Sequence, residues 1–202
     1  WGGFSRAPKF PTPSVPRLLL RAERHTGEPT ATAAVLHTLS AMHAGGIHDH
    51  VGGGFARYST DERWLVPHFE KMLYDNAQLA SLYLEAWQAS GDAHYRDVAL
   101  DVLAYLQREM THEGGAFYSA TDADSPTPTG ESEEGWFFTW TPDELVEVLG
   151  EERAALAAAV YGVAPGGNFE GRSVLHLPRP LADAAQALDL SEDALALALA
   201  GI

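Results

Sequence analysis

The sequence predicts an all-α chain of antiparallel helical hairpins forming part of an (α/α) toroid, with a small β-hairpin inserted between two of them. Three observations predict this. Apolar residues recur at helical spacing in successive pairs of segments. Gly, Pro or Gly-Asp stops divide the members of a pair. Similar loops follow: WGGF at Trp1, AGGIHDH at Ala44, EGGAFYSATDAD at Glu113 and PGGNFEG at Pro165. Their uneven spacing argues against a strict solenoid and suits a ring whose hairpins carry insertions of different size.

The first hairpin runs from Val15 to about His25 and from Thr30 to about His43, with Gly27-Glu28-Pro29 as the break. After AGGIHDHVGGG, the segments FARY and RWLV flank STDE, and Phe55, Arg57, Trp64 and Val66 alternate with their neighbours, which predicts the β-hairpin. Pro67 then precedes a turn of helix, so that Lys71, Tyr74 and Asp75 lie near one face with His68 three residues before Lys71. In the second helical hairpin, Leu79, Leu82, Tyr83, Ala86 and Trp87 make one apolar stripe, and Tyr95, Val98, Ala99, Val102, Leu103, Leu106 and Met110 the other. Gly91-Asp92 supplies a stop and then an N-cap. TPDELVEVLG and EERAALAAAVYG form a third pair, opened by capping-box spacing at Thr141 and Glu144. SEDALALALA starts one more helix at Ser191.

Composition narrows the function. An apolar content of 46% with 10% aromatics can bury a core, and no apolar run is long enough to span a bilayer. WGGFSRAPKF lacks the order of a signal peptide, so a soluble, cytoplasmic chain with no membrane partner is expected. Thirteen Lys and Arg against 28 Asp and Glu give a charge of −15, which repels nucleic acid. The absence of cysteine removes disulfides, thiolate metal sites and thiol catalysis, and fits a reducing compartment. A start at Trp1 and a stop inside a helical pattern predict that residues 1–202 are a piece of a longer protein.

Three constellations could carry chemistry. In IHDHVGGGF, His48, Asp49 and His50 can shuttle protons near neutral pH beside glycines that let a ligand approach; the same residues can instead cap the helix and turn the chain. The two His also make a weak metal signal, with no third ligand singled out, so neither metal nor cofactor is expected. In WLVPHFEKMLYDN, the set His68, Glu70, Lys71, Tyr74 and Asp75 reads either as an ion-pair network or as a site; buried ion pairs add little net stability, which favours a site. In FYSATDADSPTPTGESEEGWFFTW, Asp122 and Asp124 with Glu131, Glu133 and Glu134 offer carboxylates for acid and base hydrolysis, and Tyr118, Trp136, Phe137, Phe138 and Trp140 offer faces for a sugar ring. The bland alternative is a solvated loop. D-A-D-S lacks the spacing of a calcium loop.

The blocks GGFSRAPKFPTP, GGIHDHVGGGFARYSTDERWLVPHFEKMLYDNAQL, GGAFYSATDADS with EGWFFTW, and GNFEGRSVLH resemble, in order, those of the spermatogenesis-associated protein 20-like, thioredoxin-domain-containing family. The resemblance runs from Trp1 to about His176 and implies a thioredoxin-like domain followed by an (α/α)6 toroid similar to N-acylglucosamine 2-epimerases and six-hairpin glycosidases. It implies no established reaction, and the sugar connection rests on fold analogy. With seven helices read from the sequence, this chain would be the first part of the ring, without the thioredoxin-like domain.

Two functions follow as expectations. The first is a saccharide epimerase or glycoside hydrolase, with His50, His68, Glu70, Asp75, Asp122 and Asp124 as catalytic candidates. His48, Asp49, Arg57, Tyr58, Trp64, Lys71, Tyr74, Asn76, Tyr118 and Trp140 are its substrate-binding candidates. The second is a non-catalytic module that holds a ligand or protein beside a redox domain. An incomplete ring also leaves inner faces open, so either an exposed apolar patch or a homodimer through that open face is expected.

Overall fold

The computed structural model describes residues 1–27 and 30–202. Among them are eight α-helices that pack as consecutive pairs. These are α1 (Ser14–Thr26) with α2 (Thr30–Ala44), α3 (Leu73–Ser90) with α4 (Ala93–Glu109), α5 (Pro142–Leu149) with α6 (Glu151–Tyr161), and α7 (Leu181–Ala187) with α8 (Glu192–Leu199). Four two-stranded antiparallel sheets lie between them: β1 (Tyr58–Ser59) with β2 (Pro67–His68), β3 (Lys71–Met72) with β4 (Ala120–Thr121), β5 (Asp124–Pro126) with β6 (Ser132–Glu134), and β7 (Thr139–Trp140) with β8 (Ser173–Val174). The chain divides into two compact units, Trp1–Phe137 and Phe138–Ile202.

The helix ends form as their sequences dictate. Gly27 closes α1 in the left-handed conformation, its N–H donating to the Glu23 carbonyl at 2.7 Å; the remaining break residues, Glu28-Pro29, lie outside the described residues. Gly91 closes α3 in the same way, and the Asp92 carboxylate accepts the His94 N–H at 2.9 Å to open α4. Thr141 and Glu144 make the reciprocal capping box of α5, and Ser191 caps α8. Helix α7 was not predicted. LADAAQA carries too little apolar bulk to show a stripe, yet Ala184 and Ala185 are buried with Val160 and Leu195.

Two local expectations are corrected. The inserted hairpin exists, but its ladder pairs Tyr58 with His68 and Ser59 with Pro67, so of FARY only Tyr58 takes part and RWLV lies in the turn. No helical turn follows Pro67. Pro67, Phe69 and Lys71 are buried while His68, Glu70 and Met72 are partly exposed, a period of two that belongs to strands. A buried lysine hides that alternation from any hydrophobicity pattern. Lys71 pairs with Thr121 in β3–β4, and α3 begins only at Leu73.

In the first unit, Val35, Leu39 and Met42 of α2, Leu79, Leu82 and Tyr83 of α3, and Val98 and Val102 of α4 form one core with Ile47, Phe55 and Trp64 from the connecting loops. Burial of each such side chain contributes roughly 1.5–3 kcal/mol. The Tyr83 hydroxyl donates to the Leu39 carbonyl at 2.8 Å, so the aromatic body is packed without orphaning its polar tip. In the second unit, Leu145, Ala154, Ala157, Val163 and Leu175 form a smaller core. Beside it, Arg172 ties β7 to α5 by donating to Thr139 Oγ1 at 2.8 Å and to both Glu144 carboxylate oxygens at 2.9 and 2.8 Å. Among the described residues, no helix is long and apolar enough to cross a membrane.

Candidate functional site

The first unit gathers a chain of polar groups along β1–β2 and the first turn of α3. His68 stands on β2, its ring stacked on Tyr58 across the ladder with centroids 5.0 Å apart and planes 24° apart. Phe10 packs on Tyr58 in turn at 4.7 Å. His68 Nδ1 lies 2.7 Å from Glu134 Oε1, and Nε2 lies 3.8 Å from Glu70 Oε2, beyond hydrogen-bond length. With Glu134 ionised, Nδ1 is the donor and the neutral ring presents Nε2 as an acceptor.

Glu70 continues the chain. Its Oε2 accepts from Arg57 Nη1 at 3.1 Å, and its carbonyl accepts the Arg57 N–H at 2.8 Å. The Glu70 hydrogen bond first, and then the neighbouring Tyr74 hydroxyl, raise the Arg57 guanidinium further above its ordinary value. Asp75, also in the first turn of α3, is only partly exposed. Burial pushes its carboxyl up to about 6; Arg57 opposes that shift and Glu70 adds to it. An imidazole, a guanidinium, a paired carboxylate and a carboxyl pushed up to about 6 thus lie within electrostatic reach of one another. Such a set can take a proton, return one, and steady developing negative charge.

Asp49 and Lys71 belong to a second, deeper network. Lys71 Nζ donates to Asp49 Oδ2 and to the Gly53 carbonyl, both at 2.7 Å, and sits 4.4 Å from the centre of the Tyr105 ring. Burial lowers the Lys71 ammonium despite Asp49. It also pushes the Asp49 carboxyl up, yet Lys71 and the N–H groups of Gly52 and Val51 hold that carboxyl below its usual value. The loop passes Tyr105 closely. Gly54 has φ +74, and a Cβ there would meet Tyr105 Cδ1 at 2.5 Å. His48 Nε2 lies 3.0 Å from Asp101 Oδ2, and His50 Nε2 lies 3.1 Å from the Gly45 carbonyl.

The other sequence candidates are placed apart. Trp64 is 1% exposed in the core, its Nε1 donating to the Trp1 carbonyl at 3.0 Å, so its ring has no open face. Asn76 is fully buried and holds Phe55 and Met72 through three hydrogen bonds. Tyr118 is exposed, edge-on to His112 at 5.7 Å. Trp140 packs on the Leu145 core of the second unit. Asp122 and Asp124 are both exposed, Asp122 Oδ1 accepting the Asp124 N–H at 3.2 Å, and Asp124 pairs with Glu134 across β5–β6. That pairing explains why Glu134 reaches His68, although the acidic run reads as a solvated loop. The turn residues of TPTG between two polar strands were the available signal. His43, His94 and Asp101 had none, because each lies on a helix and meets its partner only after folding.

No protein-family model matches the chain. It is 46% identical over 183 residues to human spermatogenesis-associated protein 20, a match covering 84% of this chain and 23% of the human protein. To the mouse protein of the same name it is 50% identical over 156 residues, covering 75% and 20% of the two chains. The chain therefore spans under a quarter of the length of these relatives. Among solved structures, a sugar epimerase from a ruminal bacterium superposes with a TM-score of 0.53 at 16% identity, over 77% of this chain and 45% of the epimerase. That likeness identifies the fold as part of an (α/α) toroid of the epimerase type.

Proposed function

We propose that this chain, a homologue of spermatogenesis-associated protein 20, carries part of an acid–base site that moves a proton on a saccharide, as in epimerisation or isomerisation next to a carbonyl. The observation that carries the reading is the cluster His68, Glu70 and Arg57, in which Glu134 orients the histidine, with the Asp75 carboxyl, pushed up to about 6, within electrostatic reach of Arg57 and Glu70. A proton-transfer group works best when its pKa lies near the working pH, toward which burial moves Asp75. One of the two takes the proton from the carbon beside the carbonyl, the electron pair moves onto the carbonyl oxygen, and the other group returns a proton to the opposite face. Arg57 is the group to steady the oxyanion.

Hydrolysis is the weaker chemistry for this arrangement. It asks for one carboxyl in an apolar pocket facing a second across the bond, whereas Asp124 opens β5, Asp122 lies just before it, and both are exposed. The fold shared with a sugar epimerase supports the choice of substrate class. The test is deuterium incorporation from solvent into a panel of aldoses, ketoses and N-acylhexosamines by the full-length protein. Incorporation that falls at least a hundredfold in His68→Gln is expected. No incorporation with any sugar, together with tight sugar binding, would assign a recognition module instead.

A further inference from the structure

Four imidazoles from three stretches of chain meet in the first unit. His43 lies in the last turn of α2, His48 and His50 in the loop after it, and His94 in the first turn of α4. His43 is 4.6 Å from His48, 4.8 Å from His94 and 5.9 Å from His50, centroid to centroid, and His48 is 4.9 Å from His50. His48 is 5% exposed, and its Nδ1 is buried with no hydrogen bond. Among the described residues no group of three or more His, Asp or Glu is placed to hold a metal ion.

Asp101 of α4 is the anchor beneath them. Its Oδ2 meets His48 Nε2 at 3.0 Å and accepts the Gly54 N–H at 3.3 Å, so one carboxylate oxygen fastens both ends of the glycine loop to α4. We infer that His43, His48, His50 and His94 form an acid-operated latch, which holds residues 47–54 against α4 while its rings are neutral and releases them when the rings are protonated.

The charges around the cluster set the direction. Among the described residues, the groups bearing on His43 are the other three imidazoles, each of which disfavours a charge there. Asp92 and Asp97 favour charge on His94 while His48 disfavours it, and Asp101 faces His48. On the far side of the loop, Asp49 and Lys71 neutralise each other. Burial first, and then the neighbouring rings, hold His43 down to about 2, and burial lowers His94 as well. An opened loop exposes His43 and His94 to water and moves both back toward the ordinary histidine value near 6.5. The closed form is therefore fully favoured above about pH 6.5. It loses ground about tenfold per pH unit below that, for each ring that must stay neutral to remain closed.

Release would reach the proposed site through Lys71, which holds Asp49 and the Gly53 carbonyl and directly follows Glu70. Only this consequence rests on the saccharide reading; the latch stands without it. The experiment is amide hydrogen exchange of residues 47–54 between pH 7 and pH 5, corrected for intrinsic exchange, in the wild type, in His43→Phe, and in His37→Gln, whose histidine is an exposed position of α2 outside the cluster. The opening constant is expected to rise at least tenfold per pH unit below 6.5 in the wild type and in His37→Gln, and to rise about tenfold less per unit in His43→Phe. Equal slopes in the wild type and His43→Phe would overturn the inference, as would unchanged protection down to pH 5. Ring NMR of the wild type tests the same point without a variant. Titration of His43 near 6.5 in an otherwise unaltered spectrum, or micromolar zinc binding by these rings, would overturn it too.

Discussion

Asn76→Ala removes the part of the first unit that joins α3 to the loop beneath it. The isolated bridge between His48 and Phe55 leaves the Phe55 N–H and C=O pointing away from that partner, toward the fully buried Asn76. The Asn76 carboxamide meets both. Its Oδ1 accepts the Phe55 N–H at 2.7 Å, and its Nδ2 donates to the Phe55 carbonyl at 2.9 Å and to the Met72 carbonyl at 3.0 Å. Three hydrogen bonds at about 1 kcal/mol each, plus about 1–3 kcal/mol for the orphaned buried N–H, put the loss at about 4–6 kcal/mol. Asn76→Asp keeps the acceptor but turns carboxylate charge toward two carbonyl oxygens, so it is expected to cost at least as much at pH 7. Urea unfolding followed by circular dichroism measures both from the shift in midpoint at unchanged slope. Asn76→Ala within 1 kcal/mol of the wild type would refute the reasoning and return Asn76 to the role of a ligand contact.

Asp75→Asn tests the perturbed carboxyl by its pH dependence. Because the folded value, about 6, lies above the ordinary 3.8, the fold must ionise Asp75 at a cost as pH rises through 6. The variant is therefore expected to be more stable than the wild type above pH 6, by about 1–2 kcal/mol after allowance for solvent, and no more stable below pH 4. A gain that persists at pH 3.5 would contradict that cause. Lys71→Met leaves the Asp49 carboxylate buried without its ammonium and is expected to cost about 3–5 kcal/mol. Adding Asn at position 49 in the double variant is expected to restore more than half of that stability, and a double variant no better than Lys71→Met would show that the pair is not coupled.

The helices other than α7 were legible because their signals are local. Gly91-Asp92, Thr141 with Glu144, and Ser191 each satisfy backbone groups within a few residues, and an apolar stripe of several turns leaves little choice of period. Apart from the inserted hairpin, the strands were not legible, since two-residue ladders such as Lys71–Met72 with Ala120–Thr121 are held by partners some fifty residues away. The site divides along the same line. Arg57, His68, Glu70 and Asp75 stand close enough in sequence to be read together. Glu134 reaches His68 only through the β5–β6 pairing, and His43, His94 and Asp101 converge only when α2 and α4 pack around the glycine loop. Trp64 and Asn76 looked like ligand contacts because aromatic and amide side chains serve both roles, and only burial separates the two.

The central claim, that the His68 network receives a saccharide, is tested most directly by a crystal structure of the full-length protein with a sugar chosen from the exchange panel. The account expects a ring oxygen or hydroxyl within about 3 Å of His68 Nε2, and a second oxygen at Arg57 or Asp75. A sugar bound elsewhere, with the His68–Glu134 and Arg57–Glu70 pairs untouched, would contradict it.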